Sequence, residues 1–159
     1  MSTSSLVEAR LAAQGMELPE AAAPVASYAP AVISGSSVYT AGQLPLTQGE
    51  LKVTGKVGNG PAGIDPQTAR ELAQTCALNA LAAVKSVIGD LDRIQRVVKV
   101  TGFVASEPEF FDQAQVLNGA SELLGSVLGE AGTHARSAVG VAVLPLNAPV
   151  EVEVIVEFA

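Results

Sequence analysis

The pattern of apolar residues predicts an α+β fold: a mixed β-sheet with two helices packed on one face, preceded by a short N-terminal helix. Two stretches with helical periodicity, 67–88 and 109–128, flank an alternating β-branched run at 94–105. Further strand-like runs lie before the first helix and after the second, an order that favours helices gathered on one side over a doubly wound sheet. At 159 residues and 48% hydrophobic, the chain is the size of one domain that buries roughly 70% of its unfolded surface.

In chain order, residues 3–14 place Leu6, Ala9 and Ala13 at helical spacing behind a Ser/Thr cluster that can cap, and Gly15 and Pro19 end the helix. The segment EAAAPVASYAP at 20–30 holds two prolines among small residues and reads as an extended arm lying on the protein, with Tyr28 its one large side chain. Residues 1–27 are accordingly expected to form a helix and arm ahead of a single domain at 28–159. Two strands are expected around the turn at Gly35-Ser36-Ser37, and Gly42 in the second implies close backbone approach. In the polar stretch 47–60 the best strand candidate is Leu51 to Val57, followed by a flexible loop.

Asp65-Pro66 supplies an N-cap and an N1 proline, and Gly89 closes the helix. Its apolar face runs through Ala69, Leu72, Cys76, Ala80 and Val84. Ile94 to Ala105 is the next strand. Pro108 helps to open the second helix, expected to turn Phe111, Ala114, Leu117, Leu124 and Leu128 inward. Two final strands, Ala135 to Val143 and Val150 to Phe158, are expected to form a hairpin joined by LPLNAP.

Composition narrows the function. The net charge of −7 opposes binding a polyanion, and 4% aromatics with no Trp give a single-strand binder no stacking platform. One cysteine, Cys76, allows neither an intrachain disulfide nor a cysteine cluster, which fits a cytoplasmic setting. No run reaches the ~18 apolar residues of a membrane helix, and the N-terminus lacks the basic and apolar blocks of a secretory signal. Phosphate-binding loops, dinucleotide fingerprints and HExxH are absent from the sequence. His134, the single histidine, reads as a surface or hydrogen-bonded structural residue.

The strand at 135–143 is the most informative. One face would carry Ser137, Val139, Val141 and Val143 into the core. The other would carry Arg136, Ala138, Gly140 and Ala142, a row of tiny side chains headed by an arginine. Such a row leaves room for a ligand or for another backbone, and an Arg there offers a planar fork for a carboxylate; an intersubunit or surface salt bridge is the plainer reading. The last strand sets Glu151, Glu153 and Glu157 on one face, either its solvated side or a source of one carboxylate for holding water or moving a proton. Spacing does not choose among them. Asn118 and Asn79 lie inside helices, where structural roles are commoner, and Cys76 sits on a core face.

At these residues the chain resembles the RidA/YjgF family of reactive-intermediate deaminases, once labelled perchloric-acid-soluble endoribonucleases. The resemblance runs from about Ala29 to Val156 and rests on VYTAGQLPL at 38–46, VVKVTGFVAS at 97–106, HARSAVGVAVLP at 134–145 and VEVEVIV at 150–156. The N-terminal segment, the GKVG loop and the wording NGASELL look like a longer bacterial branch. The resemblance implies a chorismate mutase-like fold, a homotrimer with sites in clefts between subunits, and hydrolysis of enamine/imine compounds to 2-oxo acids and ammonia without a cofactor. Its expected partners are an imino or 2-oxo acid and further copies of the chain, with neither nucleic acid nor membrane.

Carried over by motif, Arg136 matches the arginine that grips the substrate carboxylate and Glu151 the glutamate that handles the attacking water. Tyr28, Gly42 and Asn118 match pocket positions. Ala138 stands where the short family type has a cysteine, Ala41 where it has a serine and Gly140 where it has a larger acid. These departures predict a larger or less polar pocket and a bulkier imino acid. A non-catalytic module that binds a small carboxylate such as a 2-oxo acid is the competing expectation.

Overall fold

The computed structural model of the chain describes residues 5–24 and 26–159. Its elements run α1 (Leu6–Ala13), β1 (Ala31–Ser34), β2 (Ser37–Thr40), β3 (Leu46–Thr47), β4 (Glu50–Leu51), α2 (Pro66–Ile88), β5 (Ile94–Ala105), α3 (Gln113–Leu128), β6 (Ala135–Val141) and β7 (Val150–Phe158). The main sheet has the order β1-β2-β7-β5-β6, with β5 and β6 parallel and the other pairs antiparallel. This is the mixed α+β arrangement that the sequence predicts.

Alternation along the strands builds the core. Val38, Val97, Val100, Val104, Val150, Val152, Val154 and Val156 are buried on the face that meets α2 and α3. The two helices also pack on each other. Ala69, Ala73 and Ala77 present little bulk, and a Cβ at Gly119 would run into the backbone carbonyl of Arg70. Asp65 caps α2, its carboxylate accepting from the N–H groups of Gln67 and Thr68 at 3.1 and 3.2 Å. Gly89 ends the helix with φ +83°, a conformation that favours glycine.

Among the described residues, the opposite sheet face has no helix over it. There Val32, Tyr39 and Val139 are 53%, 45% and 43% exposed, beside Thr101, Phe103, Glu151, Glu153 and Ile155 of the same face.

Several local expectations are corrected. In α1 the buried residues are Val7 and Leu11, not Leu6 and Ala9. Tertiary bonds set this rotation: Asp92 accepts from the N–H groups of Leu6 and Val7 at 2.7 and 3.0 Å, and Arg10 donates to the Val127 carbonyl at 2.9 Å. The expected strand Leu51 to Val57 is replaced by the β3–β4 hairpin. Its turn residues Gln48 and Gly49 take φ of 53° and 79°, the positive pair that a tight hairpin needs. Val57 instead donates to Ala105 O at 2.7 Å and is fully buried. Helix α3 begins at Gln113, four residues later than expected. Phe110, 3% exposed, fills the core that was assigned to Phe111, which is 78% exposed; Ala114 is exposed as well. A turn closed by Phe110 N–H to Glu107 O at 3.0 Å separates Pro108 from the helix and resets its phase.

The largest correction concerns β6 and β7. They are not a hairpin, because β5 lies between them and the segment after β6 crosses over it. Strand β6 also ends at Val141, and its faces are reversed: Arg136 and Ala138 stand opposite Val100 and Gly102 of β5, on the helix side, whereas Val139 faces the uncovered side. The alternation of β6 does not by itself show which face meets the helices; pairing with β5 sets Arg136 and Ala138 beside Val100 and Gly102 and turns Val139 to the uncovered side.

Candidate active site

Arg136 projects from the edge strand β6 onto α3. Its Nη1 donates to Asn118 Oδ1 at 2.9 Å and to Ser121 Oγ at 3.1 Å, and its Nη2 donates to the carbonyl of Ala114 at 3.2 Å. A guanidinium has five N–H donors, so Nε–H and one Nη2–H remain without partners among the described residues. No carboxylate pairs with this cation among them either. The two free donors lie on adjoining nitrogens of one planar group, of the kind that grips carboxylates in pairs of hydrogen bonds.

The supports come from two periodicities. Asn118 and Ser121 are three apart and share one face of α3, while His134 and Arg136 are two apart and share one side of an extended segment. His134 Nε2 lies 2.9 Å from Ser121 Oγ, and Nδ1 lies 2.6 Å from the Gly132 carbonyl. His134 is therefore hydrogen-bonded, as the sequence suggests. Sequence reasoning missed Ser121, whose signal was its i, i+3 relation to Asn118.

Glu151 belongs to a second cluster. On the uncovered face of β7, partial burial raises the pKa of its carboxyl above the ordinary value, with the negative charge of Glu153 as the second cause. Gly42 lies directly against it: a Cβ there would overlap the Glu151 carboxylate. Reciprocal backbone bonds between Gln43 and Val152, at 2.8 and 3.0 Å, hold this contact. Asn79, from α2, donates to the carbonyls of Leu44 and Leu46 at 3.0 Å each and so tethers the same segment. Tyr28, Gly42 and Gln43 line a cavity of about 50 Å³ with Pro24, Pro30 and Leu146, where the arm lies against residues 42–46.

The structure thus joins Arg136 to Asn118, Glu151 to Gly42, and Gly42 to Tyr28. It does not join Arg136 to Glu151 within one chain, since β5 separates their strands and they point to opposite sheet faces. Ala138 shares the Arg136 face, packed against the core. The space beside Gly140 is taken by Gln113, whose Nε2 would lie 2.7 Å from an added Cβ, so this glycine does not enlarge a pocket. Cys76 is a core residue. Its thiol contacts the Val150 carbonyl at 3.7 Å, and burial pushes its pKa well up. Among the described residues, no group of three or more His, Cys, Asp and Glu is arranged to hold a metal, and no helix is long and apolar enough to cross a membrane.

The YjgF/chorismate mutase-like family model, which carries an endoribonuclease designation, matches residues 8–158. The chain belongs to this family. Protein TCP17 of Trypanosoma cruzi is 45% identical over 155 residues, 97% of this chain and 95% of that one. A solved protein of unknown function from Agrobacterium tumefaciens is 50% identical with a TM-score of 0.89, covering 97% of this chain and 93% of its own. RidA from an Antarctic Psychrobacter is 29% identical with a TM-score of 0.60, and the match covers 87% of this chain and 94% of that one. The unmatched residues therefore lie mostly in this member. Family membership points to a deaminase or endoribonuclease-like function acting on small molecules.

Proposed function

We propose that this YjgF/RidA member hydrolyses 2-imino acids, formed from reactive enamines, to 2-oxo acids and ammonia in the cytoplasm, at clefts between the subunits of a homotrimer. The observation that carries the reading is the Arg136 guanidinium, held by Asn118, Ser121 and Ala114 and left, among the described residues, with two free donors and no pairing carboxylate. Bidentate contact with the substrate carboxylate fixes the molecule and makes the adjoining C=N carbon more electrophilic. Water adds to that carbon, its proton passing to Glu151 or through it to nitrogen, and the carbinolamine then expels ammonia to leave the 2-oxo acid. A raised carboxyl pKa makes Glu151 a better proton acceptor once ionised.

The uncovered sheet face supports assembly, because Val32, Tyr39 and Val139 leave apolar surface open there that a neighbouring copy would bury. A net charge of −7 weighs against a ribonuclease reading. The separation of Arg136 from Glu151 within one chain favours a second reading, a module that binds a 2-oxo acid through Arg136 without turning over an imine.

The test supplies imines in place with an amino-acid oxidase and compares wild type with Arg136→Ala. Loss of one charge-assisted bidentate contact, on the order of 2–3 kcal/mol, lowers kcat/KM roughly 30- to 150-fold with folding and assembly retained. Undiminished turnover by Arg136→Ala overturns the assignment. Binding of 2-oxo acids by a wild-type protein that does not accelerate imine loss selects the module instead.

A further inference from the structure

We infer that His134 and Ser121 form a positioning brace for Arg136, fixing one side of its guanidinium so that the other stays open to a carboxylate. The inference rests on the reading of Arg136 as the carboxylate grip and extends it to two residues that do not themselves touch the ligand.

The direction of each hydrogen bond follows from the chemistry of the atoms. The Gly132 carbonyl can only accept, so His134 Nδ1, 2.6 Å away, is the donor, which in a neutral imidazole places the single ring proton on that nitrogen. Nε2 is then an acceptor, and the Ser121 hydroxyl, 2.9 Å away, donates to it. With its proton committed, Ser121 Oγ presents lone pairs to Arg136 Nη1 at 3.1 Å. Asn118 works in parallel: its Nδ2 donates to Gln115 Oε1 at 3.3 Å, which turns Oδ1 toward the same Nη1 at 2.9 Å.

Every acceptor on the held side is neutral: a hydroxyl, an amide oxygen and the Ala114 carbonyl. They orient the cation without cancelling its charge, as a carboxylate would. A helical serine otherwise bonds a carbonyl of its own helix one turn back, which would swing the Ser121 lone pairs away from Arg136. The acceptor at His134 Nε2 is what withholds Ser121 from that alternative. Preorganisation of this kind strengthens carboxylate binding by lowering the ordering cost of a long, rotamer-rich side chain.

Two amide replacements separate the roles of the two ring nitrogens. His134→Asn keeps a donor near Nδ1 for Gly132 but leaves nothing at Nε2, whereas His134→Gln can set its amide oxygen where Nε2 stood. The readouts are calorimetric binding of 2-oxobutanoate, KM and kcat for oxidase-generated imine, and thermal melting. His134→Asn and Ser121→Ala are each expected to weaken 2-oxobutanoate binding and raise KM roughly 3- to 10-fold with little change in kcat. The double variant is no worse than either single one, and His134→Gln recovers most of the loss. Ser121→Ala stands independently if the histidine variants fold poorly. Wild-type binding in Ser121→Ala, or equal impairment of His134→Gln and His134→Asn, overturns the brace. If Arg136→Ala abolishes binding while Ser121→Ala does not change it, the brace fails and the carboxylate grip stands. If Arg136→Ala binds 2-oxobutanoate like wild type, the grip itself fails.

Discussion

Replacing Gly42 with alanine inserts one methyl group between the N-terminal arm and Glu151. Gly42 does not have a positive φ, so alanine suits its backbone. The new Cβ would lie 2.8 Å from Glu151 Cδ and 3.1 Å from Cγ, and would overlap Oε1. Because Gln43 and Val152 clamp the two backbones together, the side chain has to yield. A Glu pushed off its rotamer costs about 0.5–1.5 kcal/mol, which lowers the melting temperature of a domain of this size by roughly 1–6 °C. If Glu151 handles the proton as proposed, catalysis responds more steeply, because displacing such a group by about 1 Å costs on the order of 100-fold. Oxidase-coupled imine turnover beside a thermal melt measures both quantities. In a Glu151→Gln background, where the carboxylate is already gone, Gly42→Ala should remove little further activity. Full activity of Gly42→Ala, set against a large loss in Glu151→Gln, would refute the idea that this contact positions the carboxylate.

In the proposed mechanism ionised Glu151 is the working form, so the acid limb of kcat/KM is expected to be shifted upward from that of an ordinary carboxylate, and Glu153→Gln, which removes the smaller of its two causes, moves that limb toward lower pH. The same shift has a stability consequence: a raised pKa means that folding disfavours the charged form, so Glu151→Gln should melt higher than wild type at neutral pH, the difference vanishing below about pH 4. Co-expressing Arg136→Ala with Glu151→Gln tests whether one site draws on two chains. Random assortment in the proposed trimer leaves roughly a quarter of such sites with both residues intact, whereas a site built within one chain regains no activity.

What was legible in the sequence depended on whether a pattern was decided locally. Asp65-Pro66 and Gly89 fix the ends of α2 through their own backbone chemistry, and both ends stand where they were expected. The alternation at 94–105 predicts β5 because an interior strand is covered in a regular way. Failures arose where a distant partner decides. Asp92 and Val127 set the rotation of α1 from more than eighty residues away. The alternation of β6 is real, but only its register with β5 tells which side faces the helices, and that register is a property of the assembled sheet. The candidate site divides in the same way. Arg136 was recognisable as a fork among small residues, whereas the Ser121–His134 support required α3 and the approach to β6 to meet first.

The two candidate catalytic residues place a geometric demand on the proposed chemistry. In a 2-imino acid the carboxylate carbon and the imine carbon are directly bonded, so the group that grips the first and the group that serves water attacking the second must flank one small molecule. Arg136 lies at a sheet edge on the helix side, and Glu151 lies two strands further in on the uncovered side, level with Phe103 rather than with the Val100 that stands opposite Arg136. No side-chain rotation carries both to one point through a sheet whose intervening strand is packed with valines. An imine hydrolase built from this chain must therefore bring the Arg136 edge of one copy to the Glu151 face of another. The apolar residues left open beside Glu151 suit that face to such a contact. Assembly and catalysis then become one requirement, whereas a chain that binds through Arg136 alone carries no such demand.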